Sequence, residues 1–107
     1  MNIVEASSRG IPADVDETDV YMTEDGYIAI EFWYHRMQDN TWRVYIMSDI
    51  DYHGRDVSSS VSHTHSDDGN GYKHISYEAV QDKKTAKAVS ADWADLTAHY
   101  IQTGTRF

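Results

Sequence analysis

Two runs of β-branched and aromatic residues flank a four-residue turn, and this pattern constrains the fold more than any other feature of the chain. The runs are Tyr27-Ile28-Ala29-Ile30-Glu31-Phe32-Trp33-Tyr34 and Thr41-Trp42-Arg43-Val44-Tyr45-Ile46-Met47, and the turn is Met37-Gln38-Asp39-Asn40. Such side chains lose rotamer freedom against a helical turn but pack well on a pleated surface. The spacing predicts a β-hairpin. Upstream, Val20-Tyr21-Met22-Thr23 leads into Glu24-Asp25-Gly26, and Asp-Gly is a strong turn pair between strands. Downstream, Asp56 to His65 alternates weakly, Ser66 to Gly71 reads as a turn, and Tyr72 to Ala79 reads as a last strand. The expectation is an antiparallel meander of four or five strands.

The period then changes. Val89, Trp93, Leu96 and Tyr100 recur at intervals of 4, 3 and 4, one stripe of a helix predicted over about residues 85–103. Thr85 or Ser90 would cap its start, and Gly104 fits the position just past its end. The fold class predicted is α+β, with one C-terminal helix packed on one sheet face.

Length gives one domain of 107 residues, divided into an acidic N-terminal arm (1–19), the sheet (20–80) and the helix (85–103). The net charge is −9, and residues 1–25 carry seven acids against one base. No basic excess exists to bind a phosphate backbone, and no apolar run is long enough to span a membrane. Without cysteine there is no disulfide framework and no thiolate chemistry. The opening residues show no basic start or apolar core, so a cytoplasmic location is expected.

Closing the Met37–Asn40 loop most simply pairs Trp33 with Val44 and Phe32 with Tyr45. Ile28, Ile30, Phe32, Tyr45 and Met47 then face the helix, while Trp33, Trp42, Val44 and Ile46 form a second apolar face. Two outward tryptophans make a patch of the size that marks an interaction site. Alternatives are a homodimer through this face, or a cover made by the arm through Ile3, Val4, Ile11 and Val15.

Two constellations carry the chemistry of metal ligands. His63-Thr64-His65 would place two imidazoles on one face of a strand, with Asp67 and Asp68 following and His74 returning on the next strand. The bland alternative is a histidine-decorated hairpin tip. Asp49-Ile50-Asp51-Tyr52-His53-Gly54 opens like a calcium loop, but Ser60 stands where that loop needs a bidentate Glu. The hydroxyl-rich stretch 58–66 reads as an edge strand kept soluble. No phosphate loop, nucleophile elbow or paired-carboxylate site is present, so no enzyme activity and no cofactor are expected.

The reading that absorbs most of these features is a small acidic protein-binding inhibitor. Asp14, Asp16, Glu17, Asp19, Glu24, Asp25, Asp49, Asp51 and Asp56 would supply long-range attraction, and Trp33 and Trp42 short-range affinity. Carboxylates would stand where phosphates go in a basic groove. A short, Cys-free, strongly acidic α+β chain with a run such as Asp14-Val15-Asp16-Glu17-Thr18-Asp19 resembles, in type, small phage-encoded anti-defence proteins, including anti-CRISPR proteins that imitate DNA. That resemblance implies a phage or mobile-element origin, action in the host cytoplasm, and a nucleic-acid-handling partner such as a CRISPR nuclease. Two other classes are a metal-binding protein or enzyme using His63, His65 and His74, and a structural subunit of a phage particle.

Overall fold

The computed structural model describes residues 11–66 and 69–107. Its elements are β1 (Glu17–Met22), β2 (Ala29–Arg36), β3 (Trp42–Ile46), a one-turn α1 (Ser59–Ser62), β4 (Thr64–His65), β5 (Lys73–Ile75) and α2 (Lys83–Thr103). The strands form one antiparallel sheet in the order β1-β2-β3-β5-β4, and the fold is α+β as the sequence pattern implies. The meander holds for three strands, after which β5 enters next to β3 and displaces β4 to the edge.

Gly26, with φ 72°, takes the left-handed conformation that the β1–β2 turn requires. Thr23 N–H donates to Ile28 O at 2.9 Å and closes that turn. β1 begins at Glu17 inside the expected arm, three residues before the anticipated strand start.

The β2–β3 register differs from expectation by one residue. Trp33 faces Tyr45, Phe32 faces Ile46 and Tyr34 faces Val44. Strand side chains alternate, so a one-residue slip exchanges the two faces of the partner strand. The reason lies in the turn: Met37 N–H donates to Thr41 O and Asn40 N–H to Met37 O, with Asn40 at φ 68°. Trp42, Val44 and Ile46 therefore join Ile30, Phe32 and Tyr34 in the core, against Ala86, Trp93 and Ala94 of α2. Tyr45, expected beneath the helix, lies on the opposite face, where it is still buried at 3% exposure under neighbouring rings.

The stretch expected as a strand from Asp56 is instead a loop and the single helical turn α1. His63 ends that turn at φ 56°, and only Thr64 and His65 pair as β4. α2 starts two residues earlier than expected. Its cap is Asp82, whose carboxylate accepts Thr85 N–H at 2.7 Å. Neither Thr85 nor Ser90 serves that role. Gly104 closes the helix at φ 80°, donating its N–H to Tyr100 O. No helix among the described residues is long and apolar enough to cross a membrane.

Candidate protein interface

The face of the sheet turned away from α2 carries a row of rings. Strand alternation places Glu31, Trp33 and His35 of β2 on it, with Arg43 and Tyr45 of β3, His74 of β5 and His65 of β4. Trp33 stacks on Tyr45 at 4.7 Å between centroids and on His35 at 4.9 Å. Tyr45 meets His74 edge-on at 5.7 Å, and His74 meets His65 at 5.1 Å. β1 adds Thr18, Val20 and Met22 to this face, opposite Trp33, Glu31 and Ala29. Val20 is 59% and Met22 56% exposed, and Trp33 and His35 are half-buried.

Asp16 fastens one end of the row. Its carboxylate accepts Trp33 Nε1–H at 3.2 Å and Arg36 N–H at 2.9 Å, and lies 2.6 Å from His35 Nδ1. Partial burial works against the charge, but these bonds outweigh it and hold the Asp16 carboxyl below its ordinary value. Trp33 is thus a positioned ring.

The other sequence-predicted anchor is not available to a partner. Trp42 is 4% exposed, with Lys83 Nζ 5.9 Å from its ring centre, and its backbone carbonyl accepts the Tyr77 hydroxyl. Glu17 is likewise internal. Its side chain is fully buried between Lys83 Nζ and Lys87 Nζ, each at 2.8 Å. Lys83 also donates to the carbonyls of Pro12 and Val15, which ties the entering chain to the first turn of α2.

The remaining acids separate into two groups. Asp14 and Asp16 sit at the end of the sheet where β2 finishes, and the Arg36 guanidinium reaches Asp14 O. Glu24 and Asp25 occupy the opposite end, where α2 adds carboxylates of its own. α2 runs alongside β1 in the same direction, so Asp95 meets the β1–β2 turn. Tyr21 donates its hydroxyl to Asp95 at 2.9 Å, and Glu24 N–H donates to the same carboxylate at 2.8 Å. That bond, together with partial burial and the charges of Asp95, Glu24 and Asp92, pushes the Tyr21 hydroxyl up. The last turn of α2 reaches Asp25 through Gln102 and Asp56 through Tyr100 and its carbonyl contact. Asp49 and Asp51 follow β3, whose end lies beside the start of β2 through Met47 N–H and Glu31 O. Between the two groups, Asp19 lies 3.7 Å from Lys87 Nζ. The result is an acidic pole containing Glu24, Asp25, Asp92 and Asp95; the Asp56 carboxylate lies instead 3.7 Å from the Arg106 guanidinium, and the run 14–19 is not part of the pole.

In sequence nothing links Asp92 and Asp95 to Glu24. Only the β1–α2 alignment brings them to Glu24. Conversely, several acids that looked like a docking surface also have local duties. Asp25 accepts Tyr27 N–H, Asp51 accepts His53 N–H, and Asp56 accepts Ser58 N–H, each two residues on. Backbone donors of this kind lead the effects that hold the Asp25 and Asp56 carboxyls below their ordinary value.

The histidines do not converge as expected. His63 ends α1 in a left-handed conformation, which breaks the strand alternation assumed for His63 and His65. It stacks on Phe107 at 4.6 Å and hydrogen-bonds the Phe107 carbonyl. His65 and His74 lie on the outer sheet face instead. Asp67 and Asp68 lie outside the described residues, as do Ile3 and Val4. Among the described residues no group of three His, Asp or Glu side chains is placed to hold a metal ion. Comparison with known proteins returned no match to any family model, curated protein or solved structure.

Proposed function

We propose that this protein is an acidic protein-binding inhibitor that occupies a basic, nucleic-acid-handling groove on its partner. A CRISPR nuclease met by a phage- or mobile-element-encoded protein fits that description. The observation that carries the reading is the adjacency of two features. The pole of Glu24, Asp25, Asp92 and Asp95 adjoins the Met22 end of β1, and β1 leads onto the ring-bearing face with Val20, Met22 and Trp33. Clustered carboxylates steer a basic partner from a distance, and partly exposed rings and aliphatics supply close contact. Seven acids of the first 25 residues are therefore not equivalent: Glu17 holds the fold, while Glu24 and Asp25 face solvent.

The test is a cleavage assay with an RNA-guided nuclease at low and high salt, adding this protein before or after the DNA. The reading expects inhibition only when the protein precedes DNA, weakened by salt and by the Glu24→Lys/Asp92→Lys double variant. Equal inhibition by wild type and double variant would remove the acidic pole from the mechanism. A panel of basic nucleases left untouched by the wild type would remove the reading itself.

A further inference from the structure

The core side of the sheet is not fully roofed by α2. Beyond Trp93 the corner between β3, β4 and β5 is bordered, among the described residues, by the loop after β3, by α1 and by Gly71 and Tyr72. An open pocket of about 410 Å³ remains there. That volume is in the range, ~300–1,000 Å³, that small-molecule sites occupy. Tyr52, Tyr72 and Trp93 line it with Ile46 and Val57. Trp93 is fixed in place, since its indole N–H donates to Ser62 O at 2.9 Å. Ser62 and Thr64, both buried, meet through their hydroxyls at 2.8 Å in the same wall.

One residue in this pocket breaks the sheet's own pattern. Lys73 pairs with Ile46 and stands two residues before Ile75, so it belongs to the core-facing side, where its neighbours are buried aliphatics. Lys73 is nonetheless exposed, so its ammonium sits at the rim of the pocket, where solvent and an incoming anion both reach it. No carboxylate lies within ion-pair distance of Lys73 among the described residues, whereas Lys83 and Lys87 are both paired. The pocket combines flat apolar walls, a hydroxyl pair and an ammonium group.

We infer that this corner is a binding site for a small aromatic anion, its ring between Trp93 and the two tyrosines and its acid group on Lys73. Asp49 also lines the pocket and opposes the anion, which gives the site a second, oppositely signed handle. The site is independent of the outer face and of the inhibitor reading.

The probe is 1-naphthoate, with neutral 1-naphthalenemethanol as its uncharged counterpart, titrated by two-dimensional amide and indole NMR. Naphthoate should bind about five-fold tighter or more, the size of one partly exposed ionic contact. It should shift the Trp93 indole and the Thr64 and Lys73 amides. Lys73→Met should abolish the preference while leaving the alcohol's affinity in place, and Asp49→Asn should strengthen naphthoate binding. Both positions are exposed, so neither variant threatens folding. Equal affinity for the two probes, shifts confined to Trp33 and Tyr45, no binding, or weaker naphthoate binding in Asp49→Asn would each overturn the inference.

Discussion

Glu17 shows how little a residue's neighbours in sequence say about its work. It sits in the most acidic stretch of the chain, yet it is the buried acceptor between Lys83 and Lys87. Burial pushes its carboxyl up, and the two lysines outweigh that, so its folded value lies below the ordinary 4.5. A depressed carboxyl stabilises the fold above the unfolded value, and that contribution is lost as pH falls through the folded value. Glu17→Gln leaves Lys83 buried without its counter-charge and should cost roughly 3 kcal/mol or more at neutral pH. The urea midpoint of the variant should also fall less steeply than wild type below pH 4.5. Parallel pH curves would show that the pair does not govern acid unfolding. Tyr34 and Tyr77 make the opposite case. Burial raises both hydroxyls to about 12, so their contribution is intact below pH 10 and is lost as pH rises through 12. Ultraviolet titration should find at least two tyrosines that ionise only with alkaline unfolding; a single transition near 10 for all of them would contradict the burial.

At the scale of elements, the two ends of α2 are held by different means. Asp82 caps the start, and Gly104 ends the helix with a left-handed residue. Asp82→Ala should lower stability by about 1 kcal/mol, read as a shift in denaturant midpoint without a change in slope. A loss near zero would mean that the Lys83 and Lys87 ion pairs anchor the first turn unaided. The outer face is set by the β2–β3 register. Trp33→Ser should lower the denaturant midpoint only modestly, by about the worth of one aromatic pair, and release His35 and Tyr45 from their row, whereas Trp42→Ser should unfold the protein. Similar losses from both substitutions would show that the rings on the outer face are structural. The hydroxyl-rich segment forms a helical turn over Ser59–Ser62 rather than a strand because serine serves turns and helix ends as readily as edges. Ser62 Oγ donates to Ser58 O, a local bond that an extended strand would not make.

The molecule as a whole carries a net charge of −9, and its acids repel one another. Salt screens exposed charges over about 10 Å at moderate ionic strength but acts weakly on a buried pair. Melting temperature should therefore rise as salt is added from low ionic strength, and the rise should persist in Glu17→Gln. A fall with salt would mean that attraction, as between Lys87 and Asp19, outweighs repulsion across the surface. Alternation, turn pairs and helical spacing were enough to give strands, a helix and their class, because these are local periodicities written directly in side-chain chemistry; the buried face of the helix was not, since Leu96 of the 4-3-4 stripe is 44% exposed while Ala94, Thr97 and Ala98 are buried. Register was not legible: moving one residue through the Met37–Asn40 turn exchanges both faces of β3, and both parities of that strand are apolar enough to be core. That is why Trp42 was expected outside and Tyr45 beneath the helix. The acidic pole was legible only in part. Glu24 and Asp25 are neighbours in the chain, but Asp92 and Asp95 reach them because α2 lies along β1. Charge and periodicity are sums over the sequence; which carboxylate meets a lysine, a backbone N–H or water depends on contacts between residues up to 77 positions apart, and only packing fixes those.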